Sequence, residues 1–208
     1  PFVRDDPRWD QVVAAGLSEA LKLDRFIGNL VEISRLESGL ESIKREPVSL
    51  RDLLAGSFKT LHPLIVRQRF AIEDEVDFPL LNVNQALMEL VFLNLLENAI
   101  KYGPVDGTIK IIAKRDPGGV TIDIDDDGAG IPLEDREAVF AKFYRSPHGD
   151  SKAAGTGLGL YICRSIVTVH GGSIAAVDPT DGAGACVRIT LPNSGILPVT
   201  IERESEEA

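Results

Sequence analysis

Apolar positions in the first forty residues recur at helical spacing. Val13, Leu17, Leu21, Ile27, Leu30 and Leu36 form a narrow stripe, and Glu19, Lys22, Asp24, Arg25, Glu32 and Arg35 fill the turns between them. The pattern predicts one amphipathic helix from about Trp9 to Leu40, with Gly39 suited to its end and a break at Pro47. A helix this long cannot bury its stripe alone. It requires a partner: a second helix in an antiparallel hairpin, a dimer mate, or both. A surface helix folded back on its own domain is the plainer alternative.

After Pro47-Val48-Ser49 the period switches repeatedly between helix and strand. Leu50 to Arg67 reads as a helix with Ser49 as its N-cap. Phe70 to Val76 alternates apolar and acidic residues, as a strand with one wet face does. Asn84 to Tyr102 is a strongly apolar helix stopped by Gly103-Pro104. Thr108–Lys114 and Val120–Asp126 read as strands joined at the turn Asp116-Pro-Gly-Gly119. Leu158 to His170 reads as a helix, followed by the strands Ser173–Val177 and Ala185–Leu191 around Asp181-Gly182. Helices mixed with mostly hairpin-linked strands predict an α+β, two-layer sandwich. The expected organisation is a helical segment at 1–46, a mixed domain at 47–192, and a mobile acidic tail at 193–208.

Composition narrows the function. The 208 residues are 44% hydrophobic and 26% charged, as in an ordinary soluble protein. No apolar run approaches the roughly 18 residues that suggest a membrane span. There is no signal-peptide pattern, and the first residue is Pro1 rather than Met, so a piece of a longer protein is expected. A net charge of −10 disfavours general binding to nucleic-acid backbone, which needs clustered Lys and Arg. Cys163 and Cys186 lie in apolar surroundings without metal-ligand spacing and read as reduced core thiols of a cytoplasmic protein.

Four segments carry candidate chemistry. Asn94, Asn98 and Lys101 fall on one face of the Asn84–Tyr102 helix, with Tyr102 next. Carboxamides on so apolar a helix are costly unless satisfied. Their oxygens suit Mg²⁺, and Lys101 suits a phosphate; capping or bridging of neighbouring elements is the alternative use. Asp126 ends a strand before Gly128 and Gly130, where it can accept a hydrogen bond from an exocyclic amine such as that of adenine, though many acidic turns look alike. The long polar stretch from Ile131 to Ala154 reads as a lid anchored by Phe140 and Phe143. On it Arg145 can reach a terminal phosphate, or be a surface arginine beside an aromatic pair. Gly155-Thr156-Gly157-Leu158-Gly159-Leu160 precedes a helix, so its backbone amides can face phosphate oxygens. It lacks the Lys-Ser/Thr of a P-loop, and no strand precedes it as in a dinucleotide-binding unit. His170 reads as a helix-end or packing residue, and neither His62 nor His148 has neighbours resembling a nucleophile pair or metal site.

The four segments Asn94–Tyr102, Asp126–Gly130, Phe140–Arg145 and Gly155–Leu160, in this order, resemble the N, G1, F and G2 boxes of the sensor histidine kinase ATP-binding domain. That domain has the Bergerat-type α/β sandwich shared with gyrase, the MutL repair proteins and a class of heat-shock chaperones. The resemblance runs from about Val48 to Pro192, and the helix ending Arg35-Leu-Glu-Ser-Gly39 resembles the second helix of the dimerisation and phosphotransfer hairpin. Asp24–Leu30, Asn94–Ala99 and Gly184–Pro192 are similar to the KdpD-like, potassium-responsive subfamily.

The resemblance implies a family set of roles. Asn98 would be the Mg²⁺ ligand, with Asn94 and Lys101 near the phosphates and Arg145 acting on the γ-phosphate. Tyr102 would lie beside adenine and Asp126 would bind its amino group, with Gly128 and Gly130 shaping the base pocket and Ile131 among the ATP-binding residues. Gly155, Gly157 and Gly159 would line the phosphate side, with Thr156, Leu158 and Leu160 among the ATP-binding residues. It further implies ATP and Mg²⁺ as cofactors, a response regulator and a histidine-bearing hairpin helix as partners, a homodimer, and a cytoplasmic location with inner-membrane attachment through a segment absent here; the acidic charge leaves no nucleic acid among the expected partners. The family's His-Glu/Asp-x-x-x-Pro acceptor has no match, so the phosphoacceptor histidine is expected outside this chain. A hydrolase of the gyrase or MutL kind would place a glutamate where Asn94 stands. A non-catalytic nucleotide-binding or docking module is the other alternative.

Overall fold

The computed structural model describes residues 43–74, 79–146, 156–192 and 196–197, and in the N-terminal segment Val13, Ile27, Gly28, Val31 and Ser34. The chain divides into two compact units, Pro1–Glu41 and Ser42–Ala208. In the first, all five described residues are helical, and Val13, Ile27 and Val31 are exposed. Gly39 lies outside the described residues.

The second unit opens on strand β1 (Glu46–Ser49), so Pro47 lies inside a strand rather than only marking a break. β1 is an edge strand, where a missing N–H costs no ladder bond. Ser49 then caps helix α1 (Leu50–Leu61), its Oγ accepting from Arg51 N at 3.1 Å. The helix stops at Leu61, short of the expected Arg67. Pro63 has no N–H to bond back into the preceding turn, so the chain leaves the α-helix through the 3₁₀ turn His62–Leu64. His62 is therefore a helix terminus, not a mid-helix residue.

Helix α2 (Gln85–Tyr102) starts where the Asn84 side chain accepts from Leu87 N at 3.1 Å. It ends where Gly103 N returns to Ala99 O and Pro104 follows. Helix α3 (Gly159–Val169) ends at His170 and at Gly171, whose φ of 81° lets the chain turn back.

The strands β2 (Arg69–Asp74), β4 (Thr108–Asp116), β5 (Gly119–Asp126), β6 (Ser173–Val177) and β7 (Ala185–Pro192) form one sheet in the order β2-β4-β5-β7-β6. Only β2–β4 is parallel. Registers Ile111↔Ile124 and Ile122↔Ile189 put four isoleucines on one face, all buried under the helices. α2 packs on β5, α3 on β6, and α1 on α2. This is the expected two-layer sandwich of three helices on a mixed, mostly antiparallel sheet.

A second sheet was not expected. β3 (Leu80–Val83) lies between β1 and β8 (Ile196–Leu197). β8 falls in the stretch beyond Pro192 that reads as a mobile acidic tail. Its two residues are apolar, ahead of the acidic run, and they complete the ladder on Leu80 and Leu81. Both cysteines are free and buried, and burial pushes each thiol well above its ordinary pKa. No helix among the described residues is long and apolar enough to cross a membrane.

Candidate functional site

α2 meets the end of β5 at its C-terminal turn and the start of α3 about two turns earlier, at Asn94. A Cβ on Gly128 would come 2.6 Å from Tyr102 O and 2.7 Å from Asp126 Oδ1, and one on Gly103 would lie 3.7 Å from Asp126 Cβ. Asn98 precedes Tyr102 by four residues, about 6 Å along the helix axis. A Cβ on Gly159 would come 2.9 Å from Asn94 Oδ1. The first sequence segment therefore touches the second at its end and the fourth at its beginning.

The two asparagines differ. Asn94 Nδ2 donates to Leu90 O at 2.8 Å in its own helix, which leaves Oδ1 facing the start of α3. Asn98 is half-buried, and no described residue hydrogen-bonds its carboxamide. Its oxygen is a hard donor of the kind Mg²⁺ takes. Among the described residues no cluster of three His, Cys, Asp or Glu is placed to hold a metal. Lys101 Nζ lies 3.1 Å from Tyr102 Oη and 4.7 Å from the ring centroid, while the Tyr102 ring is half exposed.

Asp126 is buried, and one oxygen does the structural work. Oδ1 accepts from Gly128 N at 2.8 Å and from Ala185 N at 3.4 Å. Burial holds its carboxyl above the usual range despite those two N–H groups, and the charges of Asp127 and Asp125 push the same way. Gly184, in sequence only the first residue of the run Gly184–Pro192 and not a candidate site residue, closes this corner. Its φ is 90°, and a Cβ there would overlap the Asp126 carbonyl. It belongs to the run Asp181-Gly-Ala-Gly184, which in sequence looks like any glycine-rich turn.

Gly130 has φ 80° and lies against Gly184 O; Ile131 is half-buried, and its carbonyl accepts from Arg136 Nε at 3.4 Å. Gly157 has φ 70° and packs against the backbone of Phe143 and Tyr144, with Phe143 N donating to Gly157 O at 2.9 Å. Thr156 Oγ1 accepts from Leu158 N at 3.3 Å, Leu158 is fully buried, and Leu160 half-buried. Gly155 and His148 lie outside the described residues.

Phe140 anchors the stretch after β5 as expected: it is buried, with the Arg164 guanidinium 4.2 Å above its ring. Phe143 does not. It is 61% exposed with φ 62°, and its contribution is the backbone bond to Gly157 rather than a packed ring. The left-handed turn swings the side chain off the domain. Arg145 is exposed on the segment that follows.

His170 is buried and structural. Its Nδ1–H donates to Ile166 O at 2.7 Å, and its Nε2 accepts from Asn84 N at 3.0 Å. Asn84 Nδ2 also donates to Lys44 O, and Arg45 donates to Val169 O. The far ends of α2 and α3 are thus tied together, and residues 44–45 are tied to both.

A fold of this kind, with a carboxamide-bearing helix whose end lies against a strand-end aspartate and whose middle meets a glycine-led helix, defines a nucleotide-binding α/β sandwich. Residues 83–195, just over half of the chain, match the family described as Histidine kinase-, DNA gyrase B-, and HSP90-like ATPase, and the chain belongs to that family. ATP is that family's nucleotide. The chain is 36% identical over 172 residues to the sensor protein KdpD of Escherichia coli (strain K12), which covers 83% of this chain and 19% of that protein. It is 43% identical over 117 residues to the adaptive-response sensory kinase SasA of Prochlorococcus marinus (strain AS9601), covering 56% of this chain and 31% of that one. Among solved structures, the mycobacterial sensor histidine kinase MprB superposes with a TM-score of 0.61 at 28% identity, over 71% of this chain and 97% of that chain. The chain spans a third or less of these two curated relatives. The KdpD-like resemblance of the sequence agrees with the first of these similarities.

Proposed function

We propose that this chain is the ATP-binding catalytic part of a two-component sensor histidine kinase. It transfers the γ-phosphoryl group of ATP to a histidine outside the chain, for relay to a response regulator. The bond from the γ-phosphorus to the bridging oxygen of ADP breaks, a bond to an imidazole nitrogen forms, and ADP leaves. The observation that carries this reading is the junction at which Asn94 meets Gly159 and Tyr102 meets Asp126 and Gly128. Carboxamides, a buried carboxylate and a helix N-terminus thus stand along α2 or against it, which supports a shared nucleotide site.

In this reading Asp126 takes the amino group of adenine with its second oxygen, and Tyr102, Gly128, Gly130 and Ile131 border the base. Asn94, Lys101 and the segment Gly155–Leu160 face the phosphates, and Arg145 meets the γ-phosphate. Asn98 holds Mg²⁺, supported by its carboxamide's lack of any protein partner among the described residues. A bound Mg²⁺ neutralises phosphate charge; the chain's own residues position and orient. Asn94 cannot act as a general base at neutral pH, which favours phosphoryl transfer over water activation at this site.

The proposed setting is a homodimer in the full-length protein, residues 1–46 being part of the dimerisation and phosphotransfer hairpin. Its catalytic domain is cytoplasmic, and attachment to the inner membrane lies elsewhere in the full-length protein. The test combines calorimetry of Mg²⁺-ATP binding with phosphotransfer to a separately supplied histidine-bearing hairpin. Wild type binds and transfers; Asn98→Ala loses the Mg²⁺-dependence of binding and the transfer. Nucleotide binding that ignores Mg²⁺ and Asn98 would overturn the assignment.

A further inference from the structure

Arg145 stands between two residues whose hydroxyls converge on one carboxylate. Tyr144 Oη donates to Asp135 Oδ1 at 2.6 Å, and Ser146 Oγ donates to Asp135 Oδ2 at 2.6 Å. Asp135 is only 6% exposed, at the end of the 3₁₀ turn Leu133–Asp135. A carboxylate so buried is tolerated because each oxygen receives a short, charge-assisted hydrogen bond. The turn does not need these bonds to stay on the domain. Its next two residues already fasten it, Arg136 to Asp178 and Glu137 to Arg164, the latter through both guanidinium nitrogens. What the Asp135 bonds add is at the other end: they fix the chain on both sides of residue 145.

We propose that Asp135 is a positioning residue for recognition of the terminal phosphate of a nucleoside triphosphate, acting through Tyr144 and Ser146 on the placement of Arg145. This rests on the reading of Arg145 given above. The arginine fork is directional, so its value depends on where its Cα is held. With both neighbours pinned, the guanidinium samples a small volume, and the entropy lost on meeting a phosphate is correspondingly small. Loss of the clamp therefore weakens triphosphate binding and leaves diphosphate binding alone, because ADP has no group for Arg145 to meet.

The test uses the whole 208-residue chain and calorimetry with ADP and with a non-hydrolysable ATP analogue, taking the ratio of the two affinities as the readout. Arg145→Ala lowers the preference for the triphosphate by about tenfold, the scale of one charged hydrogen bond. The double variant Tyr144→Phe/Ser146→Ala lowers the same ratio without changing ADP affinity, and adding Arg145→Ala to it brings no further loss. Asp135→Asn acts in the same direction; should it fail to fold, the hydroxyl variants, which keep the carboxylate, decide. Asp178→Ala, which frees the same turn from another side, leaves the ratio unchanged. If Arg145→Ala has no effect on the ratio, the reading of Arg145 fails and the proposal with it. If Arg145→Ala lowers the ratio while the hydroxyl variant does not, Arg145 stands and the role of Asp135 is overturned. Additive losses, or an equal loss in Asp178→Ala, overturn it too, since they mark general loosening.

Discussion

Asn94 on α2 and Gly159 at the first position of α3 leave each other no room: one added carbon on the glycine would lie 2.9 Å from the asparagine's Oδ1. Two segments sixty-five residues apart in sequence are in this way held in a single register. Alanine is a better helix former than glycine by about 1 kcal/mol, and the atom it meets is the end of a side chain that can rotate away. Gly159→Ala should therefore keep or slightly raise the melting temperature while displacing Asn94 and weakening ATP binding by about tenfold. Thermal unfolding and calorimetry on one preparation separate the two effects; a loss of stability matching the loss of binding would refute this.

Asp126 predicts a change of base preference. Its Oδ1 is occupied by Gly128 and Ala185 N–H groups, so under the proposed function the adenine amine would meet the other oxygen. Asp126→Asn turns that acceptor into a donor facing a donor. ATP affinity should fall about ten- to a hundredfold, the cost of a hydrogen bond to a charged group. Inosine triphosphate, with a carbonyl in place of the amine, should lose less or gain. Because burial raises the Asp126 pKa, wild-type ATP binding should begin to weaken on acidification at a pH above the ordinary carboxylate value of 3.8.

His170 predicts a stability profile. Burial lowers its pKa below 6.5, opposed by the Ile166 carbonyl and reinforced by Arg45. In the window from that lowered value up to about 6.5 the unfolded chain binds more protons than the folded one, so stability rises with pH and is lost as pH falls. Protonation would also set an N–H against Asn84 N, breaking the tie between α2 and α3. The urea midpoint should drop as pH falls below about 6.5, and His170→Gln should flatten that part of the curve. An unchanged slope in the variant would assign the effect to other groups.

Gly184 predicts a sharp local cost. At φ 90° and against the Asp126 carbonyl, alanine is excluded on two counts. Gly184→Ala should destabilise by at least about 2 kcal/mol, lowering the melting temperature by about 4–8 °C, and should weaken nucleotide binding through Asp126. Gly182, with a similar φ of 74° but open space around it, should lose less when changed to alanine.

Much of this arrangement was legible because its signals are local. Asn84 and Gly103-Pro104 bracket α2, and Asp116-Pro-Gly-Gly119 sets the β4–β5 hairpin. β1, β3 and β8 have four, four and two residues, too few for a period to show, and they exist through pairing with distant chain. The early end of α1 was readable from Pro63. Phe143 was misread because an aromatic in a polar stretch suggests an anchor, whereas here the backbone carries the contact. Gly184 and Asp135 stayed hidden for a related reason: each looks like ordinary turn polarity until the fold brings its partner.

The small sheet has a practical bearing on how the chain can be trimmed. With β1 and β8 flanking β3, the beginning and close of the nucleotide-binding unit are stitched two strand spacings apart, about 10 Å. Cutting at Pro192 would strip β3 of one neighbour and bare a row of main-chain donors and acceptors, inviting a stray strand from another molecule. What reads as a disposable hem is a seam.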